Sequence, residues 1–232
     1  MAIINFYEQK DMQKHLSKTV NPHFKNHGIK VPFRMLIVGS SGSGKTNTLL
    51  NLIYRMPETF QKVIVVTADK NEPLYNYLSE KSGGEKAGVT IQNFDEKGLP
   101  DLNEFSRESN TLLVLDDLVN RSPREQAPIS EYYLRARKRG VSLVYISQSF
   151  YAVPKMIRNN LTHILLKQVT SSRNLTMISK ECSIGIKKSV LNTMYKDAVN
   201  DGSFLLFDLE NNQRPFRKGF DEYYELAEED KD

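Results

Sequence analysis

The chain has 232 residues, 39% hydrophobic and 26% charged, which suits one sizeable globular domain with short extensions and excludes a mainly disordered chain. No apolar run approaches the ~20 residues that cross a bilayer. Residues 1–8 lack the basic and apolar regions of a signal peptide, and one cysteine, Cys182, excludes an intrachain disulfide or a zinc cage of several thiolates. The expectation is a soluble intracellular protein with no membrane partner. The formal net charge of +4 conceals an asymmetry: residues 221–232 carry seven acids and one lysine, which leaves +10 on residues 1–220. A basic body with an acidic tail suits a polyanionic partner, and equally an ordinary solvated surface.

Residues 1–30 are polar and read as an N-terminal arm, with a short helix from Phe6 to Leu16. Beyond them, short apolar runs alternate with amphipathic stretches, the pattern of an α/β fold. Strands are predicted over Arg34–Val38, Lys62–Val66, Val89–Gln92, Thr111–Leu115, Val141–Ile146, Leu161–Lys167 and Ser203–Asp208. Several are continuous apolar runs, as expected for strands covered on both faces. Helices are predicted over Lys45–Met56, Pro73–Lys81, Asp101–Arg107, Glu125–Lys138, Ser171–Glu181 and Lys187–Asn200, with Pro73 suited to a first turn. Lys81–Gly84 and Glu96–Pro100 read as loops.

Gly39-Ser40-Ser41-Gly42-Ser43-Gly44-Lys45-Thr46 matches the phosphate-loop pattern G-x-x-x-x-G-K-[ST] in full, between a predicted strand and a predicted helix opening at Lys45 and Asn47. Glycines let successive N–H groups turn toward phosphate oxygens, and the helix start adds partial positive charge. Lys45 is placed to reach the β- and γ-phosphates and Thr46 to offer its hydroxyl to Mg²⁺. The run Thr111–Leu115 ends in Asp116-Asp117. The first acid suits the magnesium shell and the second suits activation of the attacking water. An Asp there is shorter than Glu, so the water must sit closer or a bridging group must help. No N/T-K-x-D motif follows a strand, since Asp69-Lys70-Asn71 has the letters in the wrong order, which favours ATP over GTP. Gln148, after the next strand, suits a sensor of the γ-phosphate. The cations Arg135, Arg137, Lys138 and Arg139 read as a solvated helix end, a source of an arginine finger, or a DNA contact. The division is an N-terminal arm over 1–30, a P-loop ATPase domain over 31–220 and an acidic tail over 221–232.

Gly39–Thr46, the run Thr67-Ala68-Asp69-Lys70-Asn71-Glu72-Pro73-Leu74-Tyr75, Leu113–Leu118, and Arg137–Phe150 continuing through Pro154, Ile157–Asn160 and Ile164–Lys167 together resemble a known family. It is that of the genome-packaging ATPases of large DNA viruses, the poxvirus-type and virophage-type enzymes of the FtsK–HerA superfamily. The similarity spans about residues 30–220. The resemblance implies an additional-strand, RecA-like P-loop NTPase fold with a mainly parallel central sheet flanked by helices. It implies a homo-oligomeric ring, pentamer or hexamer, that uses ATP and Mg²⁺ to move double-stranded DNA into a preformed capsid through a capsid-vertex partner. The place of action is then the virion or the cytoplasmic viral factory. It also implies an arginine acting across the subunit interface, best matched by Arg137, with Arg135, Arg139 and Arg158 as competitors. Relatives often carry His after that arginine, where this chain has Lys138.

A HerA-like or FtsK-like DNA pump not tied to packaging shares the same fold and chemistry, whereas a small-molecule P-loop kinase suits the adjacent Asp116-Asp117 less well. Lys81–Gly88 and Asn120–Gln126 are candidates for DNA-gripping loops by composition. His23 and His27 lack a third metal ligand nearby, and Tyr132-Tyr133 and Tyr223-Tyr224 read as packing residues. Cys182 reads as an inert, semi-buried thiol.

Overall fold

The computed structural model describes residues 4, 5, 8, 10–13, 20–106, 108–182 and 185–230. Nine strands form one sheet: β1 (Arg34–Val38), β2 (Lys62–Thr67), β3 (Val89–Asn93), β4 (Thr111–Asp116), β5 (Val141–Ser147), β6 (His163–Leu166), β7 (Leu205–Asp208), β8 (Phe216–Lys218) and β9 (Glu222–Tyr223). Their spatial order is β3-β2-β4-β5-β1-β6-β7-β8-β9. Pairings from β3 across to β6 are parallel, and those from β6 through β9 are antiparallel. The strand β5 lies between β1 and β4, so the phosphate-loop strand and the strand with the paired acids are separated by an additional strand.

The helical segments are α1 (Lys10–Gln13), α2 (Phe24–His27), α3 (Lys45–Arg55), α4 (Pro73–Ser82), α5 (Phe94–Lys97), α6 (Pro123–Arg135), α7 (Lys155–Arg158), α8 (Arg173–Glu181) and α9 (Lys188–Asn200). Local chemistry sets their limits. α4 opens with Pro73 in its first turn and closes at Gly83, with φ +87°. α6 opens on Ser122 and Glu125, with Ser122 N donating to Glu125 Oε2 at 3.0 Å.

The sheet is covered on both sides. Alternate residues of β1 divide between two cores: Leu36 and Val38 join Leu113, Leu115, Tyr133 and Leu191, while Met35 and Ile37 join Leu49, Leu52, Val65 and Leu112. The period-two alternation of a strand sends successive side chains to opposite faces, and both faces here are apolar. α3 and α4 therefore cover one face and α6, α8 and α9 the other.

Several expected elements are corrected. The helix expected over Asp101–Arg107 is a 3₁₀ turn, Leu102–Glu104, where Asp101 Oδ1 accepts from Asn103 N at 2.8 Å; Arg107 lies outside the described residues. The helix expected through Lys138 becomes 3₁₀ after Arg135 and closes at Gly140. The expected helix from Phe6 to Leu16 falls largely outside the described residues, with Lys10–Gln13 helical.

Residues near both expected segment limits pack into the body. Ile29 is fully buried, and Asn110 Nδ2 donates to Val20 O at 2.6 Å. Arg217, buried on β8, donates to His27 O at 2.6 Å and pairs with Asp208 at 3.0 Å. Glu222 and Tyr223 form β9, Arg55 pairs with Asp221 at 2.7 Å, and Tyr224 Oη donates to Asp197 Oδ2 at 2.5 Å.

Candidate nucleotide site

In a parallel sheet all carboxyl ends open on one edge, so β1, β2, β4 and β5 deliver their following loops to one place. There they enclose a cavity of about 430 Å³ lined by Lys45, Thr46, Asn47, Asp116, Asp117 and Gln148, among others. Ser41, Gly42 and Gly44 line it too, whereas Gly39, Ser40 and Ser43 form the body of the loop.

The loop is shaped by its glycines. A Cβ on Gly39 would lie 2.4 Å from Ser43 Oγ and 2.9 Å from Lys167 Cβ, so no larger residue fits there. Gly44 has φ +81°, a conformation that L side chains rarely adopt. The loop is also tied down from behind. Gly39 N donates to Ser147 O, Ser40 N to Gln168 O, and Thr170 N to Ser40 Oγ. Lys167, at the end of β6, runs beneath the loop and donates to Gly202 O at 2.8 Å and Ser203 O at 3.3 Å.

What remains facing the cavity suits an anion. The N–H groups of Gly42, Gly44 and Lys45 donate to no acceptor among the described residues. Lys45 Nζ folds back to Ser40 O at 3.0 Å. Burial lowers the Lys45 pKa, against the pull of Asp116 and Asp117, so the amine gains from an added negative charge.

The acidic side of the cavity is organised by a residue outside the expected site, Tyr75. Tyr75, fully buried on α4, donates its hydroxyl to Asp116 Oδ2. Thr46 and Asp116 line the same cavity, and the Thr46 side chain also acts on the Tyr75 hydroxyl. The donor set they offer is all oxygen, as Mg²⁺ prefers. Burial pushes Asp116 up to about 6, while the Tyr75 hydrogen bond and Lys45 pull it down. Asp117 is exposed and holds the left-handed region at φ +53°. The inward phase of Tyr75 and Leu78 after Pro73 was the available signal for Tyr75.

Arg137 is not part of this cavity. It precedes β5 and so sits at the amino edge of the sheet, the edge opposite the phosphate loop, where its charge acts on Arg34. It is exposed and has no ion pair among the described residues. Its three competitors are engaged: Arg135 with Glu131, Arg139 with Asn103 at 3.1 Å, and Arg158 with Glu181 at 3.2 Å and over the Phe150 ring. The two segments expected as DNA loops are largely helical: Asn120–Gln126 is a turn running into the first residues of α6 on the cavity edge, and Lys81–Gly88 is the end of α4 and a 3₁₀ turn, Gly84–Ala87, on the other edge. Tyr132 and Tyr133 are buried, and His27 Nδ1 accepts from Ile29 N at 3.0 Å. Burial pushes the Cys182 thiol up to about 12.

A glycine-rich loop between β1 and α3, paired acids on β4, and an inserted β5 define a P-loop NTPase of the additional-strand type. The family model of the poxvirus A32 protein matches residues 21–202, and the chain belongs to that family. The DNA packaging protein OPG160 of variola virus is 26% identical over 175 residues, covering 72% of this chain and 64% of its own length. The monkeypox virus protein of the same name is 26% identical over the same length and is covered for 58%. The chain thus spans about 64% of the first relatives it matches. Among solved structures, the genome packaging NTPase B204 from Sulfolobus turreted icosahedral virus 2 with sulfate superposes with a TM-score of 0.57 at 18% identity, over 78% of this chain and 94% of that one. The same protein with ATP-gammaS gives 0.54 at 16%, over 83% and 100%. The cytoplasmic domain of EssC gives 0.53 at 12%, over 68% and 35%.

Proposed function

We propose that this chain is the ATPase of a motor that moves double-stranded viral DNA into a preformed capsid. The observation that carries the reading is the single cavity shared by Lys45, Thr46, Asp116, Asp117 and Gln148. Membership of the A32 family supports the task, as do relatives named for DNA packaging and a structural neighbour solved with ATP-gammaS.

In this reading the loop from Gly39 to Thr46, with Asn47, cradles the triphosphate, and Lys45 neutralises its β- and γ-oxygens. Thr46 and Asp116 would hold Mg²⁺, whose charge would polarise the γ-phosphate when bound. Asp117 orients the water in line with the leaving oxygen, and Gln148 reports loss of the γ-phosphate to the loop after β5. Arg137 acts on the site of a neighbouring subunit, which makes the working unit a homo-oligomeric ring, pentamer or hexamer. Basic side chains, those of the turn and helix start over Asn120–Gln126 on the cavity edge among them, grip DNA phosphates without reading bases. The capsid vertex is the docking partner, and the virion or viral factory is the place of action.

The test is steady-state ATP hydrolysis with and without linear double-stranded DNA, with Lys45→Ala as the blank. The reading expects stimulation by DNA that vanishes in the variant and fades as salt rises. Turnover indifferent to DNA on assembled rings would overturn it.

A further inference from the structure

The strand β4 is flanked by β2 on one side and β5 on the other, in register at Thr67↔Asp116 and Asp116↔Ile146. The loop after β5 brings Gln148 to the cavity. The loop after β2 brings a second side chain from the opposite flank, Glu72, which lines the same cavity as Lys45, Asp116 and Asp117. Its charge is felt by both Asp116 and Tyr75.

Glu72 also has little structural reason to be glutamate. It occupies the N-cap of α4, a place that favours Asp, Asn, Ser or Thr. Its hydrogen bond from Leu74 N is 3.5 Å long, at the outer limit of such a bond. The other acid of the loop is committed locally, because Asp69 Oδ1 accepts from Asn71 N at 2.9 Å. Asp117, one methylene shorter than glutamate, leaves β4 in the left-handed region.

We propose that Glu72 is the carboxylate that takes the proton of the attacking water, while Asp117 orients that water. The water oxygen bonds to the γ-phosphorus as the bond to the β–γ bridging oxygen breaks, with the electron pair leaving on ADP. The water proton passes to a Glu72 carboxylate oxygen and then to the released phosphate. Glu72 supplies the reach that Asp117 lacks, and it comes from the flank opposite Gln148. The assignment rests on the hydrolysis reading above.

The experiment compares Glu72→Gln and Glu72→Asp with the wild-type chain, on DNA-bound assemblies. The readouts are kcat, affinity for a fluorescent, slowly hydrolysed ATP analogue, and thermal midpoint. Glu72→Gln keeps the side-chain length and a capping oxygen, and its kcat is expected to fall about 10²–10⁴-fold, with affinity and midpoint held. Glu72→Asp improves the cap, so its midpoint should hold or rise while kcat falls at least about tenfold. Wild-type kcat in either variant overturns the assignment, as does a loss that merely follows affinity or midpoint. Absence of turnover in the wild-type assembly itself removes the hydrolysis reading, a separate failure seen before any variant is made.

Discussion

The phenol of Tyr75 and the carboxylate of Asp116 form one hydrogen-bonded unit at the junction of α4 and β4. The bond engages Oδ2 of an acid that lines the cavity, so the tyrosine holds the carboxylate in one orientation there.

Replacing Tyr75 by Phe keeps the buried ring and removes that bond. A hydrogen bond to a charged group contributes about 1.5–3 kcal/mol. The Mg²⁺ concentration for half-maximal hydrolysis is expected to rise by about tenfold or more, and the thermal midpoint to fall by several degrees, at about 2–4 °C per kcal/mol lost. A magnesium titration of turnover checks this, and an unchanged half-saturation point would sink it.

The loop tolerates no added volume beneath it. Gly39→Ala would drive a methyl group against Ser43 Oγ and Lys167 Cβ, both close to backbone. Overpacking of this kind costs about 1–3 kcal/mol. Nucleotide affinity is expected to fall by about tenfold or more, read by analogue titration. Lys167→Met leaves the carbonyls of Gly202 and Ser203 without their donor, and about 1–3 kcal/mol of stability should be lost in denaturant melts.

Acid should weaken the fold through its histidines. Burial holds His163 and His27 down to about 4 from the ordinary 6.5, aided by the positive charge of Arg217. The folded state therefore binds fewer protons than the unfolded state between those values. Stability from this source is complete above pH ~6.5 and declines as pH falls toward ~4. Thermal midpoints at pH 7.5, 6 and 5 should fall in that order. His163→Asn should flatten the trend, and an equal slope in that variant would assign the acid sensitivity elsewhere.

Arg137 and Lys45 should complement one another across subunits. Arg137→Ala alone is expected to lose about 10³–10⁵ in rate while still binding nucleotide. Lys45→Ala alone is inactive but retains its arginine. Mixed assemblies of the two should regain turnover, because an intact loop can then meet an intact arginine. No recovery in assemblies shown to be mixed would remove the trans role.

The central sheet was legible because its chemistry is local. The run at Arg34–Val38 was read to the residue, since apolar side chains fill both faces and Gly39 ends it. The strands β8 and β9, three and two residues long, are too short to show an alternation. Arg217 sits in β8 fully buried, and its charge is met by Asp208 and by His27 O from distant parts of the chain. A sequence shows the arginine and not its partners. The same holds at the site. The phosphate loop and paired acids announce themselves by spacing, while Glu72 reaches the cavity, and Tyr75 reaches Asp116 from behind it, because β2 lies beside β4.

The polarity of the sheet has a consequence for symmetry. The seven residues of β5 put Arg137 and the nucleotide cavity about 20 Å apart, at opposite edges. A head-to-tail contact that joins one edge to the other uses a different surface on each partner, so a row built this way leaves one unserved edge at each end. In the proposed ring the association is head-to-tail, and such a row ends only when rotation closes it. A subunit blocked at Arg137 still accepts a neighbour at its cavity, and so terminates an open row on one side alone.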